Sequence, residues 1–307
     1  MTDAASPRQP LSPPPLPTSA AAAGTADTGA ALLVNALSVD VEDYYHASAL
    51  APAAPRTRWD ALPARVDGMT WRILDLLEAA GARGTFFVLG CVAARHPELV
   101  RAIVARGHEL ASHGALHFRV GEQTPAVFRR DVADTRKRLE DMAGVAVLGY
   151  RAPSFSINRA TWWAFQELAA AGYRYSSSLN PIRHDHYGVP DAPRFPFDPI
   201  AGMREIPVGT VELCGQRLPC GGGGYFRLLP YALSRRAIRT VNRREGKPVV
   251  FYFHPWEIDP DQPRLPVPSL RSRFRHYVNL GVMEAKLSRL LMDFSWRRID
   301  EVYPLEP

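Results

Sequence analysis

Gly84-Thr85-Phe86-Phe87-Val88-Leu89 and Glu109-Leu110-Ala111-Ser112-His113-Gly114-Ala115-Leu116-His117 are the stretches whose reading decides the fold. Each offers a short apolar run suited to a buried strand, and the residues between them, from about Val92 to Ala105, carry a helical repeat that Gly107 closes. Strand, helix, strand in that order predicts two parallel strands joined by a helical crossover. The second strand delivers two histidines four residues apart, His113 and His117, at its C-terminal end.

The same alternation extends outward in both directions. Upstream, the run from Ala31 to Val39 reads as a strand that leads directly into Asp40-Val41-Glu42-Asp43, and Val66 to Ala80 reads as a helix stopped by Gly81. Downstream come a helix from about Ala126 to Met142, a strand from Val147 to Tyr150 that delivers Arg151-Ala152-Pro153, and a helix from Arg159 to Ala171. Between about 180 and 230 the pattern weakens into Pro, Gly and short strand candidates, Arg204 to Val208 and Cys220 to Phe226, which read as an insertion or a rim hairpin region beside the site. It resumes with a helix from Tyr231 to Arg244 and a strand from Pro248 to Phe253, followed by a C-terminal extension over about 255 to 307 that holds a helix near Met283 to Met292 and a strand at Phe294 to Ile299. Repeated strand–helix units imply an α/β fold with a mainly parallel sheet. Four chemistry-bearing motifs at successive strand C-termini favour a barrel over an open sheet.

Composition narrows the class. The chain has 307 residues, 46% of them hydrophobic, enough to bury one large domain over residues 31 to 307. Residues 1 to 30, rich in Pro, Ala, Ser and Thr, lack the apolar surface to offset chain entropy and are expected to be a disordered leader. Cys91, Cys214 and Cys220 show neither a disulfide framework nor CxxC spacing. The formal charge of +6 comes from scattered arginines with small clusters at 235–236, 243–244 and 271–275, which read as solvated helix faces and not as a nucleic-acid patch. An acidic glycan or an anionic membrane surface suits that charge. No apolar run reaches the roughly 18 residues a membrane span needs, and no signal-peptide pattern precedes the domain, so residence in the cytoplasm is expected.

His113 and His117, at i and i+4, can grip one divalent metal ion, with a carboxylate as third ligand and an open position left for water. Asp40, Glu42 and Asp43 crowd three carboxylates into four positions, so the cluster asks for a cation, and one carboxylate can bind metal while another takes a proton. Arg151, stiffened by the nearby Pro153, is placed to hold a carboxylate ionised. His254, at the end of Val249-Val250-Phe251-Tyr252-Phe253, can protonate a leaving amine. Tyr225 and Trp256 are candidate platforms for sugar rings. The Gly221 to Gly224 run lacks the Lys-Ser/Thr ending of a phosphate loop and reads as a tight turn at the rim.

Taken in order, the acidic motif, Ser112-His113-x-x-x-His117, Arg151-x-Pro153-x-Phe155 and the late strand ending in His254 resemble the polysaccharide deacetylases of carbohydrate esterase family four, the NodB-homology enzymes. Ser38 to His46, Leu218 to Arg227 and Phe253 to Asp259 resemble, more narrowly, the subfamily associated with exosortase and exopolysaccharide loci. The resemblance implies a distorted (β/α) barrel, a zinc-like divalent ion, and removal of acetyl groups from an N-acetylated glycan during exopolysaccharide production. It implies Asp40 as general base, His113 and His117 as metal ligands, Arg151 as the residue orienting Asp40, and His254 as general acid. The family places its metal-binding Asp directly after the base, where this chain has Val41. Asp43 is then the expected third ligand and Glu42 the alternative. A C–N hydrolase of small cyclic amides, allantoinase-like, and a catalytically silent glycan-binding protein are the competing readings.

Overall fold

The computed structural model describes residues 33–184, 187–266 and 269–305; the expected leader over 1–30 lies outside them. In chain order the strands and helices are β1 (Val34–Val41), α1 (Val66–Ala79), β2 (Thr85–Val88), α2 (Gly90–Arg95), α3 (Pro97–Ala105), β3 (Glu109–Ser112), α4 (Pro125–Ala143), β4 (Gly149–Tyr150), α5 (Ala164–Ala170) and β5 (Tyr175–Ser176). They continue with β6 (Phe197–Ile200), β7 (Met203–Glu205), β8 (Thr210–Leu213), β9 (Gln216–Pro219), α6 (Gly223–Leu228), α7 (Tyr231–Arg244), β10 (Val250–Phe253), α8 (Leu270–Tyr277), α9 (Leu280–Asp293), β11 (Ser295–Arg297) and α10 (Ile299–Val302).

The main sheet runs β10-β1-β2-β3-β4-β5-β7-β6, with β11 also pairing with β1, and only the β6–β7 pair is antiparallel. Between its edges the barrel is closed by single backbone bonds instead of a ladder. The chain leaving β7 bonds to the β5 side through Ile206 N to Ser176 O (2.8 Å) and Val208 N to Leu179 O (3.1 Å), then to β10 through Gly209 N to Val250 O (2.9 Å). This seam is what distorts the barrel. β7 therefore belongs to the wall, although it falls in the stretch read as a rim insertion, while β8 and β9 form a separate hairpin.

Side-chain alternation along β1 explains where the site sits. Leu37, Val39 and Val41 face outward into the large core under the helices, whereas Ala36 packs inside with Phe87, Ala111, Tyr175, Ile206 and Val250. Ser38 and Asp40 share the inward parity of Ala36, so the interior column ends in a carboxylate at the C-terminal mouth. The single long helix expected over Val92 to Ala105 is two, because His96 precedes Pro97 and takes φ −131°, ψ 61°, outside the helical region. Helix α4 matches its signals closely: Thr124 caps its start and Gly144, at φ 69°, ends it in the left-handed conformation.

Candidate active site

Four strands of the main sheet deliver the site. Asp40 lies near the end of β1, while His113, Arg151 and His254 directly follow β3, β4 and β10. Arg151 is fully buried; its Nη1 donates to Asp40 Oδ1 (2.7 Å) and Ser38 Oγ (2.8 Å), and its Nε and Nη2 donate to the carbonyl and hydroxyl of Ser177, both at 2.8 Å. Its guanidinium carbon lies 4.1 Å from the centroid of the Phe87 ring. A buried guanidinium so completely bonded is a fixed cation, and it leaves Asp40 Oδ2 as the free oxygen facing the mouth.

His113 and His117 are both buried, with ring centroids 5.4 Å apart. His113 Nδ1 lies 2.8 Å from the Arg151 carbonyl, which can only accept, so the proton sits on Nδ1 and Nε2 presents a lone pair. Burial pushes His113 down to about 4, which keeps that ring neutral. His117 takes a left-handed backbone, φ 54°, in the turn after β3. The carboxylate that meets the pair is Glu42: its Oε2 is 2.8 Å from His117 Nε2 and 3.9 Å from His113 Nε2. Burial alone would raise the Glu42 carboxyl, but His117, then His254 and His113 outweigh it and hold the carboxyl far below the usual range.

Asp43, the expected third ligand, is turned elsewhere. Its Oδ1 accepts from Tyr44 N (3.0 Å), and its Oδ2 accepts from Arg65 N (2.7 Å) and Val66 N (3.0 Å). It caps the turn after β1 and ties that turn to the start of α1. The reason is the backbone: beyond Val41 the chain leaves the strand, Asp43 adopts the extended cap conformation at φ −84°, ψ 162°, and its short side chain reaches its own turn's amides while the longer Glu42 reaches the histidines. The expectation of Asp43 is therefore corrected to its alternative, Glu42.

Glu42, His113 and His117 each offer one ligand atom, all within 4.8 Å of one another. The donor set suits a divalent ion that takes nitrogen and oxygen ligands. Glu42 Oε2 supplies a direct test of fit: it is sealed from solvent and has no hydrogen-bond partner, since His117 Nε2, although close, does not meet it with hydrogen-bond geometry. A buried anionic oxygen without a partner, beside two imidazoles, has the chemistry of a ligand atom. His46 completes the surround; its Nδ1 accepts from Asp43 N (2.9 Å), its ring stacks near His117 with centroids 6.1 Å apart, and burial keeps it neutral by pushing it down to about 3.

Across the mouth, His254 Nε2 lies 3.6 Å from Glu42 Oε1 and 3.8 Å from Asp40 Oδ2, and its Nδ1 lies 2.8 Å from Glu257 Oε1. Burial would lower this imidazole, but Glu42 and then Glu257 overcome it and push it up to about 9. Glu257 is itself pinned by Arg227, whose Nε donates to Glu257 Oε2 (2.6 Å) and whose Nη1 donates to the carbonyls of His276 (2.9 Å) and Val278 (2.6 Å). The glycine run makes this possible: a Cβ on Gly223 would lie 2.3 Å from Glu257 Oε1. That run opens α6 and bridges β10 through Gly222 and Tyr252, so it is packing and not the simple rim turn expected.

Trp256, expected as a platform for a sugar ring, is placed with its ring turned into the protein. It is 8% exposed, stacked against His254 and His276 at 5.1 and 4.3 Å between centroids, and its Nε1 donates to Glu42 Oε1 (3.3 Å). Its aromatic surface is used to support the two groups facing the mouth. Tyr225 is half-buried on α6, and no recorded contact brings it to this cluster. Glu257 stands three residues after His254, a spacing that could have flagged it. Arg227 and His46 carry no comparable local signal.

Residues 58–176 match the family described as polysaccharide deacetylase. Residues 177–304 match a second family, described as a domain of unknown function, DUF3473. The deacetylase match contains His113, His117 and Arg151; His254 and Glu257 lie in the second match, and Asp40 and Glu42 precede both. Among curated proteins the chain is similar to a peptidoglycan-N-acetylglucosamine deacetylase of Bacillus cereus, 31% identical over 34% of this chain and 47% of that protein. It is also similar to a chitooligosaccharide deacetylase of Bradyrhizobium, 40% identical over 20% of this chain and 27% of that protein. The chain thus spans less than half the length of these relatives. Its fold is similar to that of a Mycobacterium smegmatis protein assigned to the polysaccharide deacetylases, with TM-score 0.54 and 22% identity over 90% of this chain and 93% of that one. Among the described residues no helix is long and apolar enough to cross a membrane.

Proposed function

We propose that the protein is a divalent-metal-dependent N-deacetylase of hexosamine units in a polysaccharide, with Glu42, His113 and His117 as metal ligands, Asp40 as general base and His254 as general acid. The observation that supports it most is the unpartnered, buried Glu42 Oε2 beside the His113 and His117 imidazoles, next to a carboxylate held by Arg151. The motif resemblance supports zinc as the ion and exopolysaccharide production as the setting.

The bound ion would lower the pKa of a water and polarise the acetyl carbonyl. Asp40, held by Arg151 through Oδ1, takes the proton from the attacking water on Oδ2. Arg151 acts only through Asp40, as a positioning residue. His254, protonated at Nε2 and held at Nδ1 by Glu257, passes its proton to the departing sugar nitrogen, and acetate and the free amine are released. Such acid–base steps typically supply 10²- to 10⁴-fold each.

The test is acetate release from N-acetylhexosamine oligosaccharides, run with chelator and with zinc restored. Release that chelator abolishes and zinc restores is expected. Hydrolysis of a cyclic amide without glycan turnover, or glycan binding with no acetate, would overturn the reading.

A further inference from the structure

Beside the mouth lies a cavity of about 340 Å³ whose lining includes Arg119, Glu122, Phe155, Ser156, Asn158 and Tyr187. Two of its lining residues neighbour the site. Arg119 comes two positions after His117, and Phe155 packs edge-on to Tyr252 at 4.7 Å, with the Arg151 guanidinium 5.5 Å from its ring. Ser154 and Phe155 both hold left-handed backbone, φ 56° and 49°, a conformation side chains rarely adopt. Backbone of that kind persists where surrounding contacts over-determine it, and it clusters at ligand-handling sites. Ser154 Oγ is tied to Ser48 Oγ at 2.7 Å across the mouth.

The lining has an aromatic side and a charged side. Phe155 and Tyr187 lie 5.9 Å apart between centroids, and His184 stacks on Tyr187 at 3.9 Å, which fixes the tyrosine ring. A rigid aromatic ring suits the apolar C–H face of a pyranose. Of the two opposite charges, Glu122 is already satisfied: Arg56 Nη2 lies 2.9 Å from its Oε2, which also accepts from Arg119 N at 3.2 Å. The Arg119 guanidinium is half-buried and, among the described residues, has no ion pair. A guanidinium is the side chain best shaped to bind a carboxylate through two parallel bonds.

We infer that this cavity is a subsite for an acidic sugar, a hexuronic acid unit next to the N-acetylhexosamine that is deacetylated, with Arg119 bonding its carboxylate and Tyr187 lying against its ring. The inference rests on the deacetylase reading and extends it to the substrate class. The formal charge of +6 favours approach of an anionic polymer in the same direction.

The experiment compares two oligosaccharides of equal length on the zinc-loaded full chain, one alternating N-acetylhexosamine with hexuronic acid and one of N-acetylhexosamine alone. The wild-type ratio of kcat/KM values is expected to favour the uronate oligomer and to shrink as salt is raised. Arg119→Gln should lower that ratio about tenfold, the scale of a lost charge-assisted hydrogen bond, and Arg119→Lys should restore part of it. No wild-type preference, or a ratio unchanged by Arg119→Gln, would overturn the subsite. Calorimetric binding of the uronate oligomer to Asp40→Asn, with and without Arg119→Gln, separates the two readings. If neither oligomer is turned over by the wild type, the deacetylase reading falls, while Arg119-dependent binding still supports the subsite and Arg119-independent or absent binding overturns it.

Discussion

Glu42 and Asp43 are adjacent carboxylates, both buried, with opposite surroundings. Glu42 has one oxygen without a hydrogen-bond partner among three imidazoles, which hold its carboxyl far down; Asp43 has both oxygens filled by backbone amides, yet burial pushes it up to about 6 against that pull. The difference shows that a carboxylate is available for a metal only if its own backbone has not already used it. The same contrast holds between the two sides of the mouth. On the β1–β3 side the working groups are set by strand ends and by hydrogen bonds from residues close to those ends. On the β10 side His254 depends on Glu257, which depends on Arg227 of α6, which in turn is anchored on the carbonyls of His276 and Val278.

Three variants probe that contrast. The largest effect is expected from Asp40→Asn, which keeps the strand end and the Arg151 contact but removes the proposed base. Turnover should fall by about 10²- to 10⁴-fold, with metal content by elemental analysis unchanged. Loss of the metal instead would place Asp40 among the ligands.

Arg227→Ala tests the other side. It strands the Glu257 carboxylate in the interior without its cation, and breaking a buried pair of this kind costs about 3–5 kcal/mol. Thermal denaturation should show a much lower Tm, and a Tm near that of the wild type would mean that the His254 side is not held by this pair.

The smallest effect is a shift of a pH limb. In the proposed role His254 is an acid only while protonated, so activity should be lost as pH rises through its pKa, pushed up to about 9 by Glu42 and Glu257 against burial. Glu257→Gln removes one of those two carboxylates, and the alkaline limb of kcat should move to lower pH. A limb that stays in place would remove Glu257 from the account of His254.

Much of the fold was legible because its strands are short apolar runs ended by chemistry. The helix from Tyr231 to Arg244 and the strand ending at Phe253 fall where the residue pattern puts them. Helix α8 and the closing seam from Ile206 to Gly209 were not legible, and the seam is fixed by contacts between segments far apart in the chain and not by a local repeat. In the site, the sequence motifs singled out Asp40, His113, His117, Arg151 and His254, and the structure gathers all five at one mouth. The placement of Trp256 was not legible for a physical reason: an aromatic residue beside a site residue has the same sequence whether its ring faces a sugar or supports a carboxylate. Only its hydrogen bond to Glu42 and its two imidazole neighbours distinguish the cases.

The central claim is that Glu42, with His113 and His117, holds the metal while Asp43 builds the turn. Zinc content measured side by side in purified Glu42→Gln and Asp43→Asn tests it most directly. The account predicts that Glu42→Gln is purified with little zinc and that Asp43→Asn, though less stable, retains it; zinc retained by Glu42→Gln and lost from folded Asp43→Asn would contradict it.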